Sequence, residues 1–151
     1  MNPMTNVCDQ IVAAPAAGNT AATTTAFIDT LGYDYAQVLI TLGTGASTEH
    51  TFDALSVGEA DTAEATEVSS IAALIGSTAT AGDSGFVIPK NLTATGSMIR
   101  LNVDTRGRKR FLYLSATPGT NNVWGASLRL SRGAVEPPPA TSEDVTRNVA
   151  V

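Results

Sequence analysis

In the stretch Met98-Ile99-Arg100-Leu101-Asn102-Val103-Asp104 apolar and polar residues alternate from Ile99 onward, and the same beat returns in Trp124-Gly125-Ala126-Ser127-Leu128-Arg129-Leu130-Ser131. Successive side chains of a strand point to opposite faces. Ile99, Leu101 and Val103 therefore share one face and Arg100, Asn102 and Asp104 the other, while Trp124, Ala126, Leu128 and Leu130 oppose Ser127, Arg129 and Ser131. Between the two lies Phe111 to Thr117, a third run of the same kind. Working back toward the N-terminus, Thr23 to Thr30 is rich in β-branched residues. Gly32 then opens a turn into Tyr33 to Leu42, where Ala36, Val38, Ile40 and Leu42 alternate with Tyr35, Gln37 and Thr41. Glu49 to Val57 reads as a further strand ending at Gly58. Gly85 to Pro89 reads as a short one whose proline places it at a sheet edge or strand end. Seven or eight short strands separated by glycine-rich turns predict an all-β fold, an antiparallel β-sandwich or jelly roll.

Residues 61–75 admit two readings. Val68, Ile71, Ala72 and Ile75 recur at helical spacing, Asp61 and Glu64 resemble a capping box, and Gly76 is a stop signal, which together suggest one short helix. The competing reading is a wide loop carrying one more short strand. Outside residues 23–132, the expected sandwich domain, the sequence loses its period. Residues 1–22, with Ala13-Ala14-Pro15-Ala16-Ala17, read as an N-terminal arm. Residues 133–151 contain Pro137-Pro138-Pro139, which cannot donate a full ladder of hydrogen bonds, and read as an extended C-terminal arm.

The chain has 151 residues, enough for one ordinary core, with only 15% charged and 5% aromatic residues. A surface so lightly charged suits a chain that packs against others. Cys8 is the only cysteine, so neither an internal disulfide nor a cysteine-based metal cluster is expected. No apolar run reaches the length of a membrane span, and Met1-Asn2-Pro3-Met4 does not read as the start of a signal peptide; cytoplasmic synthesis and no membrane partner are expected. Charge is divided unevenly. Met1 to Pro89 holds ten acidic residues and no basic one, whereas Lys90 to Val151 holds all nine basic residues and four acidic ones. A formal net charge of −5 argues against nucleic acid as a partner, because phosphates are met by a net basic face.

Motifs that carry chemistry are few. Gly82-Asp83-Ser84-Gly85 resembles the nucleophile segment of chymotrypsin-like proteases, but His50 is the only histidine and the chain is too short for the paired barrels that position such a triad. A surface turn is the expected reading, and no enzyme activity is expected. Gly43-Thr44-Gly45-Ala46-Ser47 lacks the third glycine of a dinucleotide loop and the lysine of a phosphate loop. His50 has neither cysteine nor a second histidine to complete a zinc site, and Asp53, Glu59, Asp61, Glu64 and Glu67 lack the order of a calcium loop, so no metal and no cofactor are expected. Asn91-Leu92-Thr93 is formally a glycosylation acceptor.

Arg106-Gly107-Arg108-Lys109-Arg110 puts four cations into five residues between two expected strands. It is either a solvated hairpin tip or a contact for an acidic surface, where guanidinium forks bind carboxylates in pairs. The carboxylates that answer it belong to the acidic half of the same chain, to a neighbouring copy or to another protein; an intermolecular answer is the expectation. Together with Pro137, Pro138 and Pro139, these four cations form the expected protein interface.

The run Met98 to Arg132, with Arg108-Lys109-Arg110-Phe111-Leu112-Tyr113-Leu114, Thr117-Pro118-Gly119 and the strand Trp124 to Leu130, resembles the small cement or decoration proteins of tailed-phage capsids. The resemblance implies a jelly roll on the outside of the virion. It would bridge neighbouring copies of the major capsid protein as a homodimer or homotrimer, without catalysis. The proline-rich C-terminal arm departs from that pattern. The alternative is a carbohydrate-binding or tail-fibre-type sandwich. A sugar platform needs exposed rings, and the single Trp, three Tyr and four Phe fall mostly at core-facing or strand positions, which favours the structural role.

Overall fold

The computed structural model describes residues 7–17, 22–43, 51–78, 85–90, 97–119 and 123–132. Where the sequence alternates, it forms strands: β2 (Thr24–Asp29), β3 (Tyr35–Leu42), β4 (Phe52–Ala60), β7 (Ser97–Asp104), β8 (Phe111–Pro118) and β9 (Val123–Ser131). Three more complete the set: β1 (Val7–Ala17), β5 (Ser69–Ser77) and the two-residue β6 (Phe86–Val87). They make two sheets, a four-stranded one in the order β1-β9-β3-β7 and a five-stranded one in the order β2-β8-β4-β5-β6.

The pairing has a simple plan. β1 lies antiparallel to β9, β2 to β8, β3 to β7 and β4 to β5, as though the chain were first laid out as one long hairpin and then rolled. That is the wiring of a jelly roll, with β6 added parallel to β5 at one edge. The inward residues expected from the sequence are buried: Ala36, Val38, Ile40 and Leu42 from β3, Ile99, Leu101 and Val103 from β7, and Trp124, Ala126, Leu128 and Leu130 from β9. Opposite them pack Ile28, Phe52, Leu55, Val57, Leu112 and Leu114 of the other sheet. Phe52 meets Trp124 edge-on, ring centroids 5.3 Å apart, and ties the two layers together.

Two expectations need correction, and the choice left open for residues 61–75 falls to the loop carrying a strand. Residues 7–17, read as part of an N-terminal arm, form β1, and Cys8 is fully buried in the core. Two register shifts against β9, at Ile11/Ala13 and Ala13/Ala16, erase the two-residue period that would have marked this strand. Residues 61–75 form no α-helix. Ala65–Glu67 makes one turn of 3-10 helix and Ser69–Ser77 is β5, because pairing with β4 and burial of Ile71 in the core override the helical spacing. Glu64 makes no side-chain cap there. β4 does not stop at Gly58 but continues to Ala60; glycine sits inside the strand because a Cβ there would stand 2.6 Å from Val68 Cγ1 and 2.9 Å from the Ser69 carbonyl. The 1–6 and 133–151 segments, including Pro137, Pro138 and Pro139, lie outside the described residues, as do His50 and Ser84.

Candidate interaction surface

One end of the sandwich gathers the β2–β3 turn, the β4–β5 connection, the β7–β8 hairpin and the C-terminal end of β9. Among the described residues, every charged side chain except Asp53, Lys90 and Arg100 lies at or beside this end. Two buried threonines lock the loops to each other. Thr30 donates its backbone N–H and its hydroxyl to the Arg110 carbonyl at 3.0 and 2.6 Å, and Thr105 donates its N–H to the Asp34 carbonyl and its hydroxyl to the Tyr33 carbonyl at 2.9 and 2.6 Å. The hairpin between them turns through Gly107 at φ 76°, a conformation that suits glycine.

The four cations of that hairpin are each met by a carboxylate of the same chain. Arg106 forms a fork on Asp104 at 3.0 and 2.6 Å, and Arg110 a fork on Asp29 at 3.0 and 2.6 Å. Arg108 approaches Glu59 at 3.4 Å and Lys109 approaches Asp61 at 3.2 Å. Three of these four carboxylates, Asp29, Glu59 and Asp61, come from the acidic first half of the chain, which the jelly roll brings beside the basic second half. The Arg106 guanidinium and backbone N–H hold the Asp104 carboxyl down at about 2. Asp29 is likewise lowered, first by its hydrogen bond from Arg110 and against a burial effect of opposite sign, while Arg106 and Arg110 are raised by the same pairs.

Arg110 also leads to a feature that the sequence concealed. Its guanidinium lies 4.9 Å from the centroid of the Phe111 ring, and Phe111 points outward from β8. Beside it, Phe27 of β2 stands opposite Tyr113 of β8 in the register, also on the outer face. Phe27 and Tyr113 are 4.8 Å apart at their centroids and Phe27 and Phe111 meet edge-on at 6.5 Å. All three rings are half-buried, whereas their strand neighbours Ile28, Leu112 and Leu114 fill the core. On the far side of Tyr113 the same face continues with Gly58, over which the Val68 side chain lies, and Ser70. The rings stand mostly at strand positions, as expected, and alternation along β2 and β8 sends these three outward.

The opposite outer face, on the four-stranded sheet, is polar at this end. Tyr35 of β3 is flanked by Arg106 and Arg132, whose guanidinium carbons lie 5.0 and 5.5 Å from its ring centroid. Among the described residues no group of three or more His, Cys, Asp or Glu side chains is placed to hold a metal ion. No protein-family model matches the chain, and neither does any curated protein.

Proposed function

We propose that this chain is a structural, non-catalytic virion protein. It decorates the outside of a phage capsid and cements adjacent major capsid subunits, and the outer face of its five-stranded sheet is the docking surface. The observation that carries the docking surface is the Phe27–Phe111–Tyr113 cluster. These rings are not needed to fill the core, yet they are held in a rigid group by the sheet, with the Arg110–Asp29 ion pair at their rim. Aromatic side chains and arginine dominate the energetics of protein interfaces, because they bury large area with little loss of conformational freedom. The capsid as partner is supported by the resemblance of Met98 to Arg132 to decoration proteins. A shell multiplies a modest affinity by many identical sites. The basic hairpin takes part through Arg110 at the rim, and the segment with Pro137, Pro138 and Pro139 supplies a second contact to the shell or to another copy of this chain.

The test is co-sedimentation with purified capsid shells. Replacing Phe27 and Tyr113 together by serine should weaken attachment by at least ~30-fold, the scale of an interface hot spot, while circular dichroism still reports a folded β protein. Undiminished attachment of that double variant would place the docking surface elsewhere.

A further inference from the structure

The four-stranded sheet ends at β7, and among the described residues nothing pairs with the far side of that strand. The phase of the ladder fixes which groups are left open there. Thr105 donates its N–H to the Asp34 carbonyl, and Gly43 donates its N–H to the Val123 carbonyl, each one step beyond a register pair of β3. Bonded pairs alternate along an antiparallel ladder, so Ile99, Leu101 and Val103 exchange their bonds with β3. Met98, Arg100, Asn102 and Asp104 therefore turn their backbone N–H and C=O groups to the open side. The other margins are guarded. β1 is broken by two register shifts and lies against β2, and β6 has only two residues. β7 instead runs eight residues in unbroken register with β3, without a proline or a bulge. Beside it the two sheets part around a cleft of about 460 Å³ whose lining includes Leu74, Phe86, Val87 and Met98.

We infer that β7 pairs with β7 of a second copy of this chain, antiparallel about a two-fold axis at Asn102, joining two four-stranded sheets into one of eight. Three observations select that occupant and register. The first is the phase of the open groups. With Asn102 opposite Asn102, Arg100 stands opposite Asp104 of the second copy, and all of these residues present their backbone groups to the edge, so the two strands can exchange bonds. The second is charge. Arg100 is exposed and, among the described residues, forms no ion pair. In this register it meets a carboxylate, twice over by symmetry. Asp104 has room for it: Oδ1 accepts two bonds from Arg106 but Oδ2 only one, which leaves Oδ2 a lone pair. Moving the axis to Leu101 would set Arg100 opposite Asn102 and leave it unanswered, and moving it to Arg100 would oppose like charges. The third is continuity. Asp9, Arg129, Gln37 and Asn102 are register partners across β1, β9, β3 and β7, with Arg129 forked on Asp9 and Gln37 Nε2 donating to Asn102 Oδ1 at 2.9 Å. This row stops at Asn102, whose amide nitrogen still has donor capacity. Across the axis each Asn102 amide can donate to the other, and the row runs on through all eight strands. The cleft beside β7 is then roofed by the second copy's strand. A two-fold axis of this kind stands perpendicular to the sheet. Both Phe27–Phe111–Tyr113 clusters thus point the same way, and one dimer presents two docking faces to one surface. The dimer is argued from β7 alone and does not depend on what the aromatic face meets.

Sedimentation equilibrium of the full chain, over a range of concentrations, should show a reversible monomer–dimer equilibrium. Arg100→Glu puts like charges at both symmetric contacts and should weaken the dimer at least tenfold, while circular dichroism still reports a folded β protein. Cysteine cross-linking reads the register. Asn102→Cys should form a covalent dimer under mild oxidation, because bonded antiparallel partners have Cα atoms ~5.5 Å apart, within reach of a disulfide. Cys8 is fully buried, so the parent should not cross-link. Arg100→Cys alone should not cross-link either, whereas Arg100→Cys together with Asp104→Cys should. The Phe27→Ser, Tyr113→Ser variant should dimerise as the parent does, which separates this interface from the docking face. A parent that stays monomeric at every concentration, or forms trimers, overturns the inference. So does a dimer that Arg100→Glu leaves intact, or one that cross-links through Arg100→Cys alone and not through Asn102→Cys.

Discussion

The two outer faces of this sandwich differ although the two inner faces are alike. Inside, both sheets present aliphatic side chains and one fully enclosed ring each, Phe52 and Trp124, with Phe86 of the five-stranded sheet packed at the margin. Outside, the five-stranded sheet presents Phe27, Phe111 and Tyr113 in mutual contact, and the four-stranded sheet presents the Asp9–Arg129–Gln37–Asn102 row. The inner faces are set by the need to remove apolar area from water, which governs both layers equally. The outer faces are under no such demand, and they differ: an aromatic cluster stands on one and a polar row, with Arg100 on the rung beside it, on the other.

The largest effect should come from the inside. Trp124→Ala removes a ring that touches Phe52 across the two layers and should destabilise the fold by about 3–5 kcal/mol, read by denaturant melts. Unchanged stability with lost attachment would mean that Trp124 is a contact residue, and the distinction between inner and outer rings would fail. The double replacement of Phe27 and Tyr113 by serine should invert this pattern. It should cost stability only about 1–2 kcal/mol through lost ring contacts, against a severe loss of shell binding. If the two variants lose stability equally, the outer cluster belongs to the core and not to an interface.

Reversing Arg108→Glu with Arg110→Glu sharpens the comparison at the rim. Each new glutamate would face Glu59 or Asp29, now a like charge, so the melting temperature of the free subunit should fall slightly, and more at low salt than at high. Attachment should also weaken, by less than in the ring variant, because Arg110 covers one side of Phe111. A free subunit that melts unchanged at every salt concentration would mean that these pairs exist without contributing to stability.

The smallest effect is the response to acid. Asp104 and Asp29 both have folded-state pKa values below those of the unfolded chain, so the unfolded state binds protons first as pH falls. Their stabilisation is fully present above the unfolded carboxyl value of ~4. For Asp104 it is lost as pH falls toward its folded value of about 2. Because both groups are exposed, the change should be modest. Melting temperatures of the parent and of Asp104→Asn, followed from pH 6 to 2, should converge at the acid end; curves that stay parallel would remove Asp104 from the account.

Much of the fold was legible because alternation is a local signal. The faces of β3, β7 and β9 follow from the order of Ala36, Val38 and Ile40, of Ile99, Leu101 and Val103, and of Trp124, Leu128 and Leu130. β1 was not legible, since its two register shifts break the period and its partner β9 lies more than a hundred residues away in the chain. β5 was legible only as one of two alternatives, because Ile71 and Ile75 satisfy a helix as well as they satisfy a strand. The basic hairpin was plain in the sequence, but its partners Asp29, Glu59 and Asp61 were not, for they are adjacent only once β2 and β4 lie on either side of β8. The aromatic cluster and the polar row hide for the same reason. Sequence alternation shows that Phe27, Tyr113, Gln37 and Asn102 face away from their own strands' core residues; only strand order shows that they stand side by side. By itself, then, the sequence determined strands, faces and the charged end's ingredients, which depend on neighbours along the chain. Tertiary structure alone decided which charges cancel and which rings and amides meet, because those depend on pairings over long separations whose register is fixed by burial of both inner faces at once.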